Sequence, residues 1–409
     1  MHIHVLGLGS VGLLISHHLR RVLPLSTTIT LIHKNKRQAT HFLLNGGVVT
    51  LEKDHVLSSL KGFQSEVFDE SIPQSLNVNG STYPEALTER DEKFLQPIDS
   101  LIVTTKANSA VPAIQRLLPR LSKSSTIVLL HNGMGVYENL IEKVFVNEEL
   151  RPHIILASNT HGCYCRAQNL AVHAGTGAIQ FGIVPDPAGR DFEAGYRDEN
   201  IPRENRTLRL KDIDDPSPNS AHSRYQSLHD TVSVLTKLDL LSVSWKPISE
   251  MQTLLRRKLV VNAVINPLTA LMGCRNGDIF HTQAAKRLTS RICREASSVF
   301  AAQQIAETQS WLDDLSNQGV DPKLASVGRL PFALRPSNLQ AEAMQVAERT
   351  KDNISSMLSD IRRGRPTEID YINGYLLGLG KLYKVEMPAN ATLLNLVKMR
   401  SAIPLDQQM

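Results

Sequence analysis

Cysteine is scarce. Four residues (Cys163, Cys165, Cys274 and Cys293) stand in 409, without CxxC spacing and too few for a disulfide scaffold, so reduced thiols in a cytosol-like, cytoplasmic setting are expected. Cys163 and Cys165 have no His or Cys pair at ligand spacing, and no metal site is expected. Long basic runs and arginine-rich tracts are absent. The formal charge of +5 comes from scattered residues, which argues against a nucleic-acid partner. No uninterrupted apolar run is long enough to cross a membrane. The first strand starts at once, which leaves no room for a leader peptide. With 42% hydrophobic and 21% charged residues, the composition is that of an ordinary globular protein, long enough for two domains with substantial cores.

The stretch Arg256–Asp278, RRKLVVNAVINPLTALMGCRNGD, organises the reading. Lys258, Asn262 and Asn266 recur every four residues, which places them on one face of an α-helix. Leu259, Val260, Val261, Ala263, Val264 and Ile265 fill the positions between, so the helix is expected to be apolar almost all round and buried. Buried amides without partners cost roughly 1–3 kcal/mol each, and a buried ammonium more, so something polar must face this stripe. A neighbouring segment or a ligand can supply it.

At the N-terminus an apolar strand, Met1–Leu6, runs directly into Gly7-Leu8-Gly9-Ser10-Val11-Gly12 and then a helix, Leu13–Leu23. This is GxGxxG in its required context. Gly7 makes the tight turn, Gly9 lets backbone approach a pyrophosphate, and Gly12 lets the helix pack closely on the strand, with free N–H groups at the helix start facing the anion. The second strand, Thr27–Ile32, ends in His33-Lys34-Asn35-Lys36-Arg37, where an NAD site usually carries Asp or Glu. Cations there suit a 2′-phosphate, so NADPH/NADP+ is expected over NAD, although a solvated basic loop would read the same way. Strands at Ile98–Thr105 and Thr126–Leu130 end in Lys106 and in Asn132, beyond the carboxyl ends where open α/β sheets bind ligands. Pro152–Ser158 is another strand, and Thr160–Arg166, Asn169–His173 and Ala178–Ile183 alternate like an antiparallel meander.

Two stretches lose periodicity. Residues 54–96 read as a long connection or partly ordered insertion. From Pro185 to Arg224 the large aliphatics are Ile201, Leu208, Leu210 and Ile213, so a mobile surface insertion outside both cores is expected. After Tyr225–Lys237 (helix) and Leu240–Trp245 (strand) the pattern becomes helical, with helices expected at 284–307, 338–362 and 368–383 and a loop at 311–335. Asn353 and Ser356 are placed three apart on one helix, and Glu368 in the first turn of the next, where the macrodipole alone would favour it. The resulting fold class is α/β: a Rossmann-type dinucleotide-binding domain over 1–247, followed by an all-helical domain over 248–409.

The blocks GLGSVG, TTKAN, LLHNGMG, RRKLVVNAVINPLTAL and NISSMLSDIRRGRPTEIDYING, in this order, resemble the 2-dehydropantoate 2-reductase (ketopantoate reductase) family across both domains. NPLTAL and TEIDYING are its specific blocks, while GxGxxG is shared with many dehydrogenases. Residues 54–96, 185–224 and 308–340 read as additions to the compact bacterial pattern. The resemblance implies NADPH-dependent reduction of 2-dehydropantoate to pantoate, on the route to pantothenate and coenzyme A. It carries the family's proton-donating lysine to Lys258 and its substrate-binding glutamate to Glu368. The motif asparagines fall on Asn262, Asn266 and Asn276, and the carboxylate-binding serine on Ser356 with Asn353 beside it. The cofactor side takes the glycine loop, Lys106 and Asn132. The family often has Arg at the end of the second strand; here His33 stands there with Lys34 and further cations after it, so the 2′-phosphate ligand stays open. The partner implied is a small molecule, and a homodimer is one arrangement the sequence leaves open. Another NADP-dependent 2-oxo-acid or 3-hydroxy-acid dehydrogenase, and a non-catalytic NADP-binding protein, are the competing readings.

Overall fold

The computed structural model describes residues 1–67, 96–214, 224–318 and 328–403. The chain forms two compact units, one of Met1–His131 with Val136–Met251 and one of Asn132–Gly135 with Gln252–Met409. Among the described residues no helix is long and apolar enough to cross a membrane.

The first unit is built on strands β1 (His2–Leu6), β2 (Thr28–His33), β3 (Val49–Lys53), β4 (Val56–Leu60), β5 (Gln64–Val67), β6 (Ser100–Val103), β7 (Thr126–Leu129), β8 (His153–Asn159), β9 (Gly162–Ala167), β10 (Leu170–Gly175), β11 (Ile179–Ile183) and β12 (Val243–Trp245). Eight of them make one sheet in the order β12-β11-β8-β7-β6-β1-β2-β5. The pairs from β5 to β8 are parallel, and β8 and β11 run antiparallel. Strands β6 and β7 are buried at every position, as a parallel strand covered on both faces requires. Helices α1 (Ser10–Val22), α2 (Lys36–Leu44), α3 (Ala107–Leu117), α4 (Val136–Lys143), α5 (Ala194–Arg197) and α6 (Gln226–Thr236) accompany the sheet.

A second sheet, β4-β3-β10-β9, packs on α1. Helix α1 is therefore covered by β1 and β2 on one side and by this sheet on the other, and every residue from Gly12 to Arg20 is buried. Two of its polar side chains find partners in the surrounding chain: His17 Nε2 pairs with Ser58 Oγ at 3.0 Å, and the Arg20 guanidinium donates to the carbonyls of Thr27 and Gly62.

Two expectations are corrected here, for 160–183 and for the stretch from Pro185, and a third, for 54–96, is met only by its described start. The run 160–183 is no single meander: β9 and β10 form a hairpin in the small sheet, while β11 crosses to the main one, with Ile179 opposite Asn159. The stretch 54–96 opens with two strands, β4 and β5, and β5 extends the main sheet beside β2; residues 68–95 lie outside the described residues. The stretch from Pro185 is no surface appendage. Phe192 and Ile213 are buried in the core of the unit, Asp186 accepts from the Tyr225 hydroxyl at 2.7 Å, and buried Glu193 accepts the Ile248 N–H at 2.6 Å. A count of aliphatics passes over Phe192, and several of the charges pair within the unit, Arg197 with Glu193, Arg209 with Asp212 and Arg224 with Asp186. Residues 215–223 lie outside the described residues. Phe192→Ala is accordingly expected to lower the stability of the protein by about 3–5 kcal/mol, read as the urea midpoint at unchanged m-value; an unchanged midpoint would restore the picture of a dispensable insertion.

The second unit is helical, with α7 (Ile248–Met272) entering from the first, then α8 (Gln283–Asn317), α9 (Pro336–Arg349), α10 (Ser356–Arg362), α11 (Asn373–Leu382) and α12 (Pro388–Ala402). Its core gathers Leu259, Val260, Val264 and Ile265 of α7 with Ile292, Ala296, Val299 and Phe300 of α8, Leu339 and Ala343 of α9, Leu376 of α11, and Leu393 and Val397 of α12. Helix α8 runs ten residues past Glu307, so Trp311 is helical and the loop expected from 311 is corrected. The apolar periodicity fades there, but AAQQIAETQSWLDDL is rich in strong helix formers, which hold the backbone without burial. Residues 319–327 lie outside the described residues.

Candidate active site

Local sterics in the first unit require the glycine loop. Gly7 has φ +101°, and a Cβ on it would sit 2.5 Å from the Thr105 nitrogen; a Cβ on Gly12 would sit 2.1 Å from the Gly7 carbonyl oxygen. Gly9 differs: an added Cβ would meet no protein atom within 4 Å, so this side of the turn is open to a close-approaching ligand. Thr104, at the end of β6, donates its hydroxyl to the Gly7 carbonyl at 2.5 Å and holds the turn. Gly9 is the N-cap of α1 and brings no side chain to it, so the first N–H groups of the helix are available to an anion. Leu8, Ser10 and Val11 are half-buried around this start, and the Ser10 hydroxyl bonds the Cys163 thiol of β9. Lys106 is half-buried at the N-cap of α3, immediately beyond the sheet edge.

His33 is corrected as a cationic phosphate ligand. Its ring is buried against Phe42, 5.1 Å between centroids, and burial pushes its pKa down to about 4. It is neutral at pH 7. The exposed Lys34, Lys36 and Arg37 carry the positive charge of this corner, where Asn35 caps α2 by accepting the Gln38 N–H.

In the second unit Lys258, Asn262 and Asn266 lie on α7 as the four-residue spacing predicts. Asn266 is buried, Asn262 and Lys258 partly so. The charge centre of Lys258 is surrounded by protein; burial lowers its pKa to about 8, and the nearby Glu368 carboxylate acts in the opposite direction. Glu368 itself is buried. It stands outside the first turn of α11, at the head of a 3₁₀ turn (Ile369–Tyr371) that its side chain does not cap. The macrodipole account of this residue is therefore corrected: the helix starts at Asn373. Asn132 belongs to this unit too, in a loop whose Met134 N–H donates to the Tyr371 carbonyl at 2.9 Å. Gly133 fits that contact because a Cβ on it would lie 2.6 Å from the Tyr371 oxygen.

Asn276 and Asn353 meet through the backbone, N–H of Asn276 to carbonyl of Asn353 at 3.0 Å, and the Asn276 amide donates to Thr350 Oγ1. Asn276 Oδ1 is buried and has no protein partner. Asn353 precedes α10 and is exposed, so its expected place on one helix with Ser356 is corrected. Ser356 is the first residue of α10 and exposed, while its neighbour Ser355 caps the helix and accepts the Thr269 hydroxyl at 2.6 Å. Sequence reading missed this Thr269–Ser355 tie and missed Asn373, which is fully buried and donates to the Ala263 carbonyl of α7. Both are polar residues in apolar surroundings, which was the available signal.

Chemically, the first unit offers an anion cradle with a basic corner, and the second a partly buried lysine whose pKa is lowered to about 8 near a buried carboxylate. A protein of Schizosaccharomyces pombe described as a probable 2-dehydropantoate 2-reductase is 27% identical over 399 residues, covering 97% of this chain and 96% of that one. The 2-dehydropantoate 2-reductase of Escherichia coli O157:H7 is 30% identical over 327 residues, 80% of this chain and 82% of that one. Among solved structures, a ternary structure of D-mandelate dehydrogenase with NADH and anilino(oxo)acetate shares the fold, with a TM-score of 0.67 at 17% identity over 98% of both chains. Residues 3–186 match the family described as ketopantoate reductase PanE/ApbA, and residues 250–401 match its C-terminal region. With both halves matched in order, and with the glycine cradle and the Lys258 face in the places those halves occupy, the chain belongs to the ketopantoate reductase family.

Proposed function

We propose that this protein reduces the ketone of 2-dehydropantoate to the alcohol of pantoate with NADPH, and that Lys258 supplies the proton. What carries the assignment is the placing of the partly buried Lys258 on α7, where desolvation lowers its pKa to about 8, within electrostatic reach of the buried Glu368 carboxylate. NADPH supplies a hydride to the keto carbon. Gly7, Leu8, Gly9, Ser10, Val11 and Gly12 hold the pyrophosphate at the start of α1, Lys34 with its basic neighbours takes the 2′-phosphate, and Lys106 and Asn132 complete the cofactor contacts. Negative charge develops on the keto oxygen as its carbon is reduced. Lys258 stabilises that charge and transfers a proton to the oxygen, then regains one from water. Glu368 accepts a hydrogen bond from the substrate hydroxyl. Asn262, Asn266 and Asn276 orient the substrate, and Ser356 with Asn353 takes its carboxylate. A reducing cytoplasm suits four cysteines that form no disulfide.

The test is NADPH oxidation with 2-dehydropantoate against 3,3-dimethyl-2-oxobutanoate, which keeps ketone and carboxylate but lacks the hydroxyl. A clear preference for 2-dehydropantoate is expected, because a site built to bond a hydroxyl rejects an analogue without it; equal rates would point to a general 2-oxo-acid reductase. Glu368→Ala should raise KM for 2-dehydropantoate and erase much of that preference, and an unchanged KM would remove Glu368 from the substrate site.

A further inference from the structure

Helix α7 contains a proline, Pro267, in its interior. A proline has no N–H, so the carbonyl four residues earlier, that of Ala263, lacks its regular intrahelical donor, and the ring crowds that same carbonyl. Ala263 is fully buried, so water is no substitute. The donor comes from Asn373, whose Nδ2 lies 3.1 Å from the Ala263 oxygen. The place is telling. Ala263 sits on α7 between Asn262 and Asn266 and five residues from Lys258; Asn373 follows Glu368 by five.

The amide of Asn373 is held donor-first by a chain of partners. Glu295 of α8 accepts the N–H groups of Ala389 and Asn390 at the start of α12, at 2.8 and 3.0 Å, and the Asn390 Nδ2 at 2.7 Å. A carboxylate can only accept, so Asn390 must turn its Oδ1 the other way, toward Asn373 Nδ2 at 3.0 Å. Asn373 thereby commits both amide hydrogens, one to Asn390 and one to Ala263, and leaves its own Oδ1 buried without a partner. An orientation that sacrifices a buried acceptor needs a compensating role.

We infer that Asn373 is a positioning residue that supplies the hydrogen bond Pro267 removes and thereby ties α7 to the segment that follows Glu368, setting where Lys258 and Glu368 stand. The catalytic part of the inference rests on the function proposed above; the hydrogen-bond part does not.

The experiment combines Asn373→Ala, Pro267→Ala and the double variant in the full chain, reading urea midpoint, kcat, the pH at which kcat falls, and NADPH affinity. Asn373→Ala should lower the midpoint, lower kcat about tenfold to a hundredfold, as a small misplacement of a catalytic group does, and move the alkaline fall of kcat, with NADPH affinity unchanged. In the Pro267→Ala background the same change should cost much less stability, because position 267 then offers its own N–H. Additive midpoint losses would overturn the proline-complement role, and an Asn373→Ala enzyme with normal kcat and pH profile would overturn the positioning role. If Asn373→Ala does not fold, the double variant is expected to, and its failure as well would refute the inference. A wild-type chain that does not reduce 2-dehydropantoate defeats the proposed function alone, since the stability cycle still decides the hydrogen-bond complement.

Discussion

Lys258→Ala is expected to lower kcat by about 10²–10⁴-fold, the contribution of a positioned general acid, with NADPH affinity little changed. The asymmetry follows from where the interaction is made. The keto oxygen carries full negative charge only as the hydride arrives, so the ammonium binds the transition state far better than the ground state, and its loss appears in kcat rather than KM. The pH dependence has a definite sign. With its pKa lowered to about 8, Lys258 is charged below that pH, so kcat should be flat there and fall about tenfold per unit above it as the proton donor is lost. Glu368 favours the charged form, so Glu368→Ala should move the fall to lower pH. A Lys258→Ala enzyme that binds NADPH and substrate and keeps most of its turnover would show that α7 is purely structural. Removing the ammonium also strands Glu368 in a buried setting, so the urea midpoint must be recorded beside the rate.

The triple change Lys34→Ala, Lys36→Ala and Arg37→Ala is expected to weaken NADPH by at least about tenfold while sparing NADH, since one charge-assisted phosphate contact is worth roughly 1.5–3 kcal/mol. These three side chains are exposed at the end of β2 and start of α2, where an adenosine ribose lies in this fold. His33 does not contribute charge, because burial keeps its ring neutral. Titration of both cofactors, with salt held constant, separates the outcomes. Equal weakening of NADPH and NADH, or of neither, would place the 2′-phosphate elsewhere.

The cofactor cradle was legible in the sequence because its constraints are local. The turn needs positive φ at Gly7, and the Gly7 carbonyl comes too close for any side chain at Gly12, both set within a few residues of chain, while Thr104 and Thr105 add close contacts from farther away. The buried helix α7 was legible for a related reason. Periodicity of 3.6 residues states which face is apolar, and an apolar circumference interrupted by Lys258, Asn262 and Asn266 states that polar partners exist. Periodicity is mute where the argument depends on what lies opposite. Phe192 and Ile213 stand among charges and still join the core, because Asp186, Glu193 and Asp212 bind side chains and backbone brought to them from elsewhere in the unit.

The sequence by itself determined the strand–glycine–helix cradle, the α/β-then-helical order and the polar stripe of α7, all of them set by dihedral limits and repeat spacing along one continuous segment. Tertiary structure alone decided which polar residues meet. It buried His33 and so took its charge away. It gave Ser355, not its neighbour Ser356, the bond to Thr269. It brought Asn373 to a carbonyl 110 residues earlier in the chain. The physical reason is desolvation: a group's charge and its need for a partner depend on the dielectric and donors around it, and those arrive only when distant segments close over it.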